Sequence, residues 1–318
     1  MRAVFMGSPE FALPSLRRLF ESDLVEVVGV VTQPDRPAGR GRALRPPPAK
    51  ELAQAHGLPV LQPPRVNKAE ALAEIAALQP EVIVIAAYGQ ILKQELLDIP
   101  MRGVLNVHAS LLPEYRGASP VTAAILAGEA QTGVSIIEVV LALDAGPVVA
   151  QRSIPIEDQD TMGSLTEKLA VLGADLLIEV LPAWERGELV ARPQDDAQST
   201  YAPPVRREDA VIDWSLPAVE VWRRVRAYNP WPVATTTLDG EPLRILQAWP
   251  LDVEARVEPG TVLALPDGSD APEGAGFAVR CGQGALAVVR AQRAGRRGVS
   301  GAELLRGARG LIGKRLGG

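Results

Sequence analysis

The chain has 318 residues, 47% of them apolar and 22% charged, with a net charge of −5 and one cysteine, Cys281. That length exceeds the roughly 100–200 residues of one domain, and the composition excludes a disordered, fibrous or disulfide-stapled protein. With no basic-then-apolar leader and no apolar run near the roughly 20 residues of a membrane helix, the expectation is a cytoplasmic protein without a membrane span.

In chain order, the first half alternates strand-like and helix-like stretches, the pattern of βα units on a mostly parallel sheet. Residues 2–6 form a short apolar strand, and Gly7-Ser8-Pro9 turns into a helical segment, 10–21, with Phe11, Leu13, Leu16 and Leu19 on or near one face. Residues 25–32 are a valine-rich strand, largely apolar as parallel strands buried on both faces tend to be. The connection that follows, 33–48, is rich in Pro, Gly and Arg and far longer than the two to six residues usual for such a loop, so a functional role is expected. Arg36, Arg40, Arg42, Arg45 and Lys50 lie in or next to it with no acid among residues 36–50.

Helices are predicted over 49–56 and 68–78, and a buried strand over 81–87 that ends at Tyr88-Gly89. A strand at 104–107, a short helix at 119–127 and strands at 134–139 and 147–154 follow. From 163 to 186 the apolar positions Leu165, Leu169, Leu172, Leu176, Val180 and Trp184 recur three or four apart, which predicts one long helix. This helix closes a first domain, 1–187, expected to be Rossmann-like: a mostly parallel sheet with helices on both faces. Residues 188–207 lack periodicity and read as a linker. In 208–318 a helix at 217–228 precedes short strands, among them 233–238 and 243–248. Turn signals separate them at Asp239-Gly240, Asp267-Gly268 and Gly282-Gln283-Gly284, which suggests an OB-like β-barrel. A second basic segment closes the chain: Arg290, Arg293, Arg296, Arg297, Arg306, Arg309, Lys314 and Arg315 against Glu303 alone. An acidic body with two basic patches suits selective docking of a polyanion better than indiscriminate binding.

Only two histidines occur, His56 and His108. His56, at a helix end, reads as structural. His108 follows a predicted parallel strand at its carboxyl end, where open α/β sheets place ligands, and Asn106, two residues earlier, shares its face. Judged by pattern alone, His108 is as consistent with a core residue as with a catalyst. Asp144 alone reads first as a turn-forming aspartate, yet at a strand end of the same sheet it would supply the carboxylate that tunes an imidazole. No dinucleotide fingerprint, P-loop, nucleophile elbow or metal-ligand spacing is visible, so no metal is expected. An enzyme built this way needs a substrate that brings its own nucleophile.

The stretch Asn106-Val107-His108-Ala109-Ser110-Leu111-Leu112-Pro113-Glu114-Tyr115-Arg116-Gly117, with Leu143-Asp144-Ala145-Gly146, resembles the folate-dependent formyltransferases. The opening Phe5-Met6-Gly7-Ser8-Pro9, the loop Thr32-Gln33-Pro34-Asp35-Arg36-Pro37-Ala38-Gly39-Arg40-Gly41, Ile212-Asp213-Trp214 and Tyr228-Asn229-Pro230-Trp231-Pro232 are similar to the branch acting on methionyl-tRNA. Tyr115, Ala142, Ala145 and Pro204 depart from the family pattern without removing a catalytic group.

The resemblance implies transfer of the formyl group of 10-formyltetrahydrofolate to the amine of methionyl-tRNA (initiator) for translation initiation. It makes Asn106 and His108 oxyanion donors and Asp144 the partner that keeps His108 charged. Ser110, Leu111, Leu112, Pro113, Tyr88 and Gly89 would bind folate, and Arg36, Arg40, Arg42 and Arg45 would form a tRNA-binding loop. No obligate protein partner is expected. A folate-dependent formyltransferase acting on a small-molecule amine is the alternative.

Overall fold

The computed structural model describes residues 1–38, 43–253 and 255–317. The first half runs β1 (Arg2–Gly7), α1 (Ala12–Glu21), β2 (Glu26–Val31), β3 (Arg36–Ala38), β4 (Ala43–Arg45), α2 (Pro48–Ala55) and β5 (Val60–Leu61). Next come α3 (Ala69–Ala77), β6 (Val82–Ala86), α4 (Gln94–Leu97), β7 (Val104–His108) and β8 (Arg116–Gly117). They are followed by α5 (Pro120–Ala127), β9 (Gln131–Glu138), β10 (Val148–Pro155), α6 (Met162–Glu185) and β11 (Tyr201–Ala202). The remainder is α7 (Ala218–Ala227), β12 (Thr235–Leu238), β13 (Glu241–Leu251), β14 (Val262–Leu263), β15 (Phe277–Arg280), β16 (Ala285–Arg293), β17 (Val299–Ser300) and α8 (Gly301–Gly307).

Seven strands in the order β10-β9-β7-β6-β1-β2-β5 make the first sheet. Pairing is parallel from β7 to β5 and antiparallel where β9 meets β7 and β10. The valine-rich cores of β1, β2 and β6 are buried on both faces because helices cover both. On one face Val4, Met6, Ile83, Ile85 and Val104 pack against Ile75 of α3 and Leu96 of α4. On the other, Gly173 of α6 lies so near β7 and β9 that a Cβ there would stand 2.5 Å from Val107. The parallel strands point their carboxyl ends to one edge of the sheet, and every candidate residue of the first half except Asp144 lies at or after such an end.

The second sheet is antiparallel throughout, in the order β12-β13-β16-β15-β14 with β17 paired to β16. Register shifts around Gln247 bend β13 against β16, as bulges do, and curl the sheet into an OB-like half-barrel. Val221, Trp222 and Val225 of α7 fill its concave side with Leu243, Ile245, Phe277, Val279, Leu286 and Val288. The closing basic segment is folded rather than a tail. Arg290 and Arg293 sit on β16, Leu304, Leu311 and Leu316 are buried, and Ser300 with Glu303 forms a capping box on α8.

Two compact units divide the chain. One compact unit comprises 1–120, 131–155 and 166–203, the other 121–130, 156–165 and 204–318. Most of the stretch expected to be a linker is built into the first unit: Arg192 bridges to Val148, and β11 pairs with β8. The long loop also differs, since β3 and β4 make it a hairpin. Among the described residues, no helix is long and apolar enough to cross a membrane.

Candidate active site

Strand β7 delivers two of the three central side chains. Alternate residues share a face, so Val104, Asn106 and His108 project together; Val104 joins the core under α3, and the two polar residues reach the strand's end. Register places Ile85 of β6 beside Asn106, and Ser135 of β9 opposite His108. His108 is 6% exposed. Its Nε2 lies 3.0 Å from the backbone carbonyl oxygen of Tyr115, and its Nδ1 lies 3.6 Å from Oδ2 of Asp144. A carbonyl only accepts, so Nε2 carries a proton in this arrangement, and both ring nitrogens face oxygen acceptors. Asn106 is half-buried, and its carboxamide makes no hydrogen bond among the described residues, which leaves two N–H donors for a substrate.

Asp144 is over-determined. It sits in the left-handed region at φ 50°, which aspartate tolerates better than most residues. Its Oδ2 accepts the Gly117 N–H at 2.8 Å, and its own carbonyl accepts from Gln194 Nε2 at 2.8 Å. The same amide nitrogen reaches the Gly146 carbonyl at 2.7 Å, while Arg116 grips Gln194 Oε1 through Nε and Nη2 at 3.1 and 2.9 Å. Gly117 has φ 114°, and a Cβ there would stand 2.7 Å from both the Ala202 carbonyl oxygen and the Tyr201 ring. Only glycine fits between β11 and the carboxylate.

The loop after His108 is closed on itself. Ser110 Oγ donates to the Glu114 carbonyl at 2.7 Å, and Ser135 Oγ donates to the Ser110 carbonyl at 2.7 Å while accepting the Leu112 N–H at 3.0 Å. Gln151 Nε2 donates to the Leu112 carbonyl at 2.8 Å. Among the residues expected to bind folate, Ser110 and Leu112 are buried, and Tyr88 turns its ring into the apolar core, where burial pushes the phenol up and its hydroxyl has no partner among the described residues. Leu111 and Pro113 are half-buried and Gly89 is exposed.

In the hairpin, Arg36 and Arg45 are exposed and directly opposed across β3 and β4, while Arg40 and Arg42 lie outside the described residues. Like charges facing each other across a ladder are unfavourable until an anion sits between them. Lys50, part of the same basic run, does not add to that charge. Its Nζ donates to both oxygens of Asp35 at 2.9 Å and to Gln62 Oε1 at 2.7 Å. Hydrogen bonds from Gln62 and then Lys50 hold the Asp35 carboxyl below the usual carboxylate range.

Three contributors were not anticipated from sequence: Ser135, Gln151 and Gln194. For Ser135 a signal existed, a lone hydroxyl inside the apolar run 134–137 whose register partner is the histidine. Gln194 had none, because it lies in the aperiodic stretch. The departure at Tyr115 leaves the site intact, since His108 is met by that residue's backbone carbonyl and not by its ring.

Comparison with known proteins identifies the family. The profile described as formyl transferase matches residues 1–181, and that of the formyl transferase C-terminal domain matches 204–309. A methionyl-tRNA formyltransferase of Roseiflexus sp. (strain RS-1) is 48% identical over 100% of this chain and 95% of its own. One from Bacillus subtilis (strain 168) is 46% identical over 96% of this chain and 95% of its own. Among solved structures, HypX from Aquifex aeolicus in complex with tetrahydrofolic acid superposes with a TM-score of 0.61 at 22% identity. That alignment covers 99% of this chain but 48% of HypX, and at such identity it speaks to the fold alone. With both domain profiles matched and the strand-end Asn, His and Asp in place, the chain belongs to the formyl transferase family, and within it to the methionyl-tRNA formyltransferases.

Proposed function

We propose that this chain transfers the formyl group of 10-formyltetrahydrofolate to the α-amino group of methionine carried by initiator tRNA, a cytoplasmic step of translation initiation. The observation that carries this reading is the meeting at one sheet edge of a partner-free Asn106 carboxamide and an imidazole that faces Asp144, beside relatives that perform the reaction by name. A small-molecule amine as acceptor is not favoured, because relatives that align over nearly the whole chain bear the tRNA activity.

The residues divide the work as follows. Asn106 donates to the formyl oxygen as the substrate amine bonds to the formyl carbon and that oxygen gains negative charge. A donor aimed at such a charge contributes about 2.7–4 kcal/mol. His108 supplies a second donor by exchanging the Tyr115 carbonyl for the oxyanion. The exchange is favourable, because a hydrogen bond to a charged acceptor is roughly twice as strong as one to a neutral carbonyl. Asp144, fixed by the Gly117 N–H, stabilises the imidazole as the proton leaving the new amide is relayed to the departing folate nitrogen. Gly89, Leu111 and Pro113 offer an apolar and backbone surface beside Asn106 that fits a planar pterin. The opposed Arg36 and Arg45 suit the phosphates of an acceptor stem, with Arg40 and Arg42 completing the loop.

The deciding experiment incubates the protein with 10-formyltetrahydrofolate and methionyl-tRNA, and in parallel with free methionine and with amino sugars. Formyl-methionyl-tRNA alone is expected; equal formylation of free methionine would refute the tRNA assignment.

A further inference from the structure

Gln33 sits where several strand ends meet. It follows β2, and it binds to the segments that follow β1, β5 and β6, so one residue links the carboxyl ends of four neighbouring strands in the order β6-β1-β2-β5. Its backbone N–H donates to Ser8 Oγ at 2.9 Å, and its carbonyl accepts from Gln62 Nε2 at 2.9 Å. Its side chain points two ways. Nε2 donates to the carbonyl of Tyr88 at 3.1 Å, and Oε1 accepts from Arg36 Nη2 at 3.2 Å. The Tyr88 carbonyl belongs to a turn with Ala87 at φ 51° and Gly89 at φ 85°, and a Cβ on Gly89 would stand 3.8 Å from Gln33 Nε2. One carboxamide therefore joins the arginine hairpin to the turn that follows β6, the strand whose Ile85 is the register partner of Asn106.

We infer that Gln33 is a positioning residue that couples the two substrate sites, so that RNA phosphates on the hairpin tighten the hold on folate at the Tyr88–Gly89 turn. The inference rests on the function proposed above. One physical effect gives it a sign. An anion that fixes Arg36 removes rotamer freedom that folate binding would otherwise have to remove. Reciprocity then requires that folate raise the affinity for RNA by the same factor.

The test titrates the full chain with 5-formyltetrahydrofolate, a stable formyl-folate, with and without a hairpin RNA that mimics an acceptor stem. In the unsubstituted protein the folate affinity is expected to rise about fivefold with RNA, at the low end for coupled sites. Gln33→Ala should bind each ligand more weakly and show a coupling factor of one. Gln33→Glu keeps and strengthens the bond from Arg36 but places an acceptor against the Tyr88 carbonyl. It should therefore retain RNA affinity while losing both folate affinity and coupling. A merely structural role would lower the melting temperature of Gln33→Ala and leave the factor at five, and that result would overturn the inference. An unsubstituted chain that binds both ligands independently also sinks it, with the proposed function standing; a chain that binds neither ligand removes the proposed function itself.

Discussion

The strand-end site and the arginine hairpin are built on opposite principles. At His108 and Asp144 nearly every polar atom has a partner, the imidazole is buried, and a glycine is required because backbone occupies the space a side chain would fill. At Arg36 and Arg45 two exposed arginines occupy paired positions of the hairpin, and the order lies at its base in the Asp35, Lys50 and Gln62 cluster. The first arrangement is preorganised, which is what stabilising a transient charge requires. The second leaves exposed positive charge, which suits the binding of a large, charged substrate as proposed above. On that proposal, chemistry and recognition are assigned to two differently built elements on the same sheet edge.

Substitutions should break that contrast to different degrees. Asn106→Ala removes a carboxamide donor that has no hydrogen-bond partner among the described residues. Single-turnover kinetics should show the transfer rate fall by about 10²–10³, the usual loss for an oxyanion donor, with RNA affinity retained. Gly117→Ala comes next, because the new methyl meets the Ala202 carbonyl and forces the N–H away from Asp144. Thermal denaturation is expected to report about 1–3 kcal/mol of lost stability together with impaired turnover, the cost typical of a strained backbone position. A variant that melts normally and turns over normally would mean that the carboxylate is not held there.

The hairpin should answer differently. Arg36→Ala or Arg45→Ala should leave the transfer rate at saturating RNA intact and raise the KM for tRNA. The salt dependence of RNA binding should become shallower, by about one unit of slope for each phosphate that the variant no longer neutralises. An unchanged slope would remove the hairpin from the interface. The smallest effect concerns its base. The folded-state affinity of Asp35 for protons is depressed, so its contribution is present above the unfolded carboxylate value near ~3.9 and is lost as pH falls through the folded value. Asp35→Asn should therefore melt slightly below the parent at neutral pH, and the two melting curves should converge in acid. Divergence on acidification would contradict the anchoring role.

Much of this architecture is legible in the chain itself. Runs such as 26–31 and 82–86 are largely or wholly apolar, which only a strand covered on both faces tolerates, and the stripe from Leu165 to Trp184 repeats with the helical period. Strand alternation alone places Asn106 and His108 on one face. Three other features are not legible. Residues 192–202 resemble a linker because β11 has two residues and Gln194 acts singly, which leaves no periodicity to detect. The burial of Tyr88, Ser110 and Leu112 is another, because no local pattern shows that their side chains point inward. The hairpin looks like an open loop because Pro, Gly and Arg mask its pairing.

The order of apolar and polar residues thus determined by itself which segments become strands and helices and which residues end at the sheet's carboxyl edge, since those depend on local period and burial. Only the tertiary structure decided that Asp144 faces His108, that Gln194 and Gly117 hold it there, and that Gln33 reaches both Arg36 and Tyr88. These contacts join residues 3 to 55 positions apart, at distances set by register and strand order rather than by any repeat along the chain.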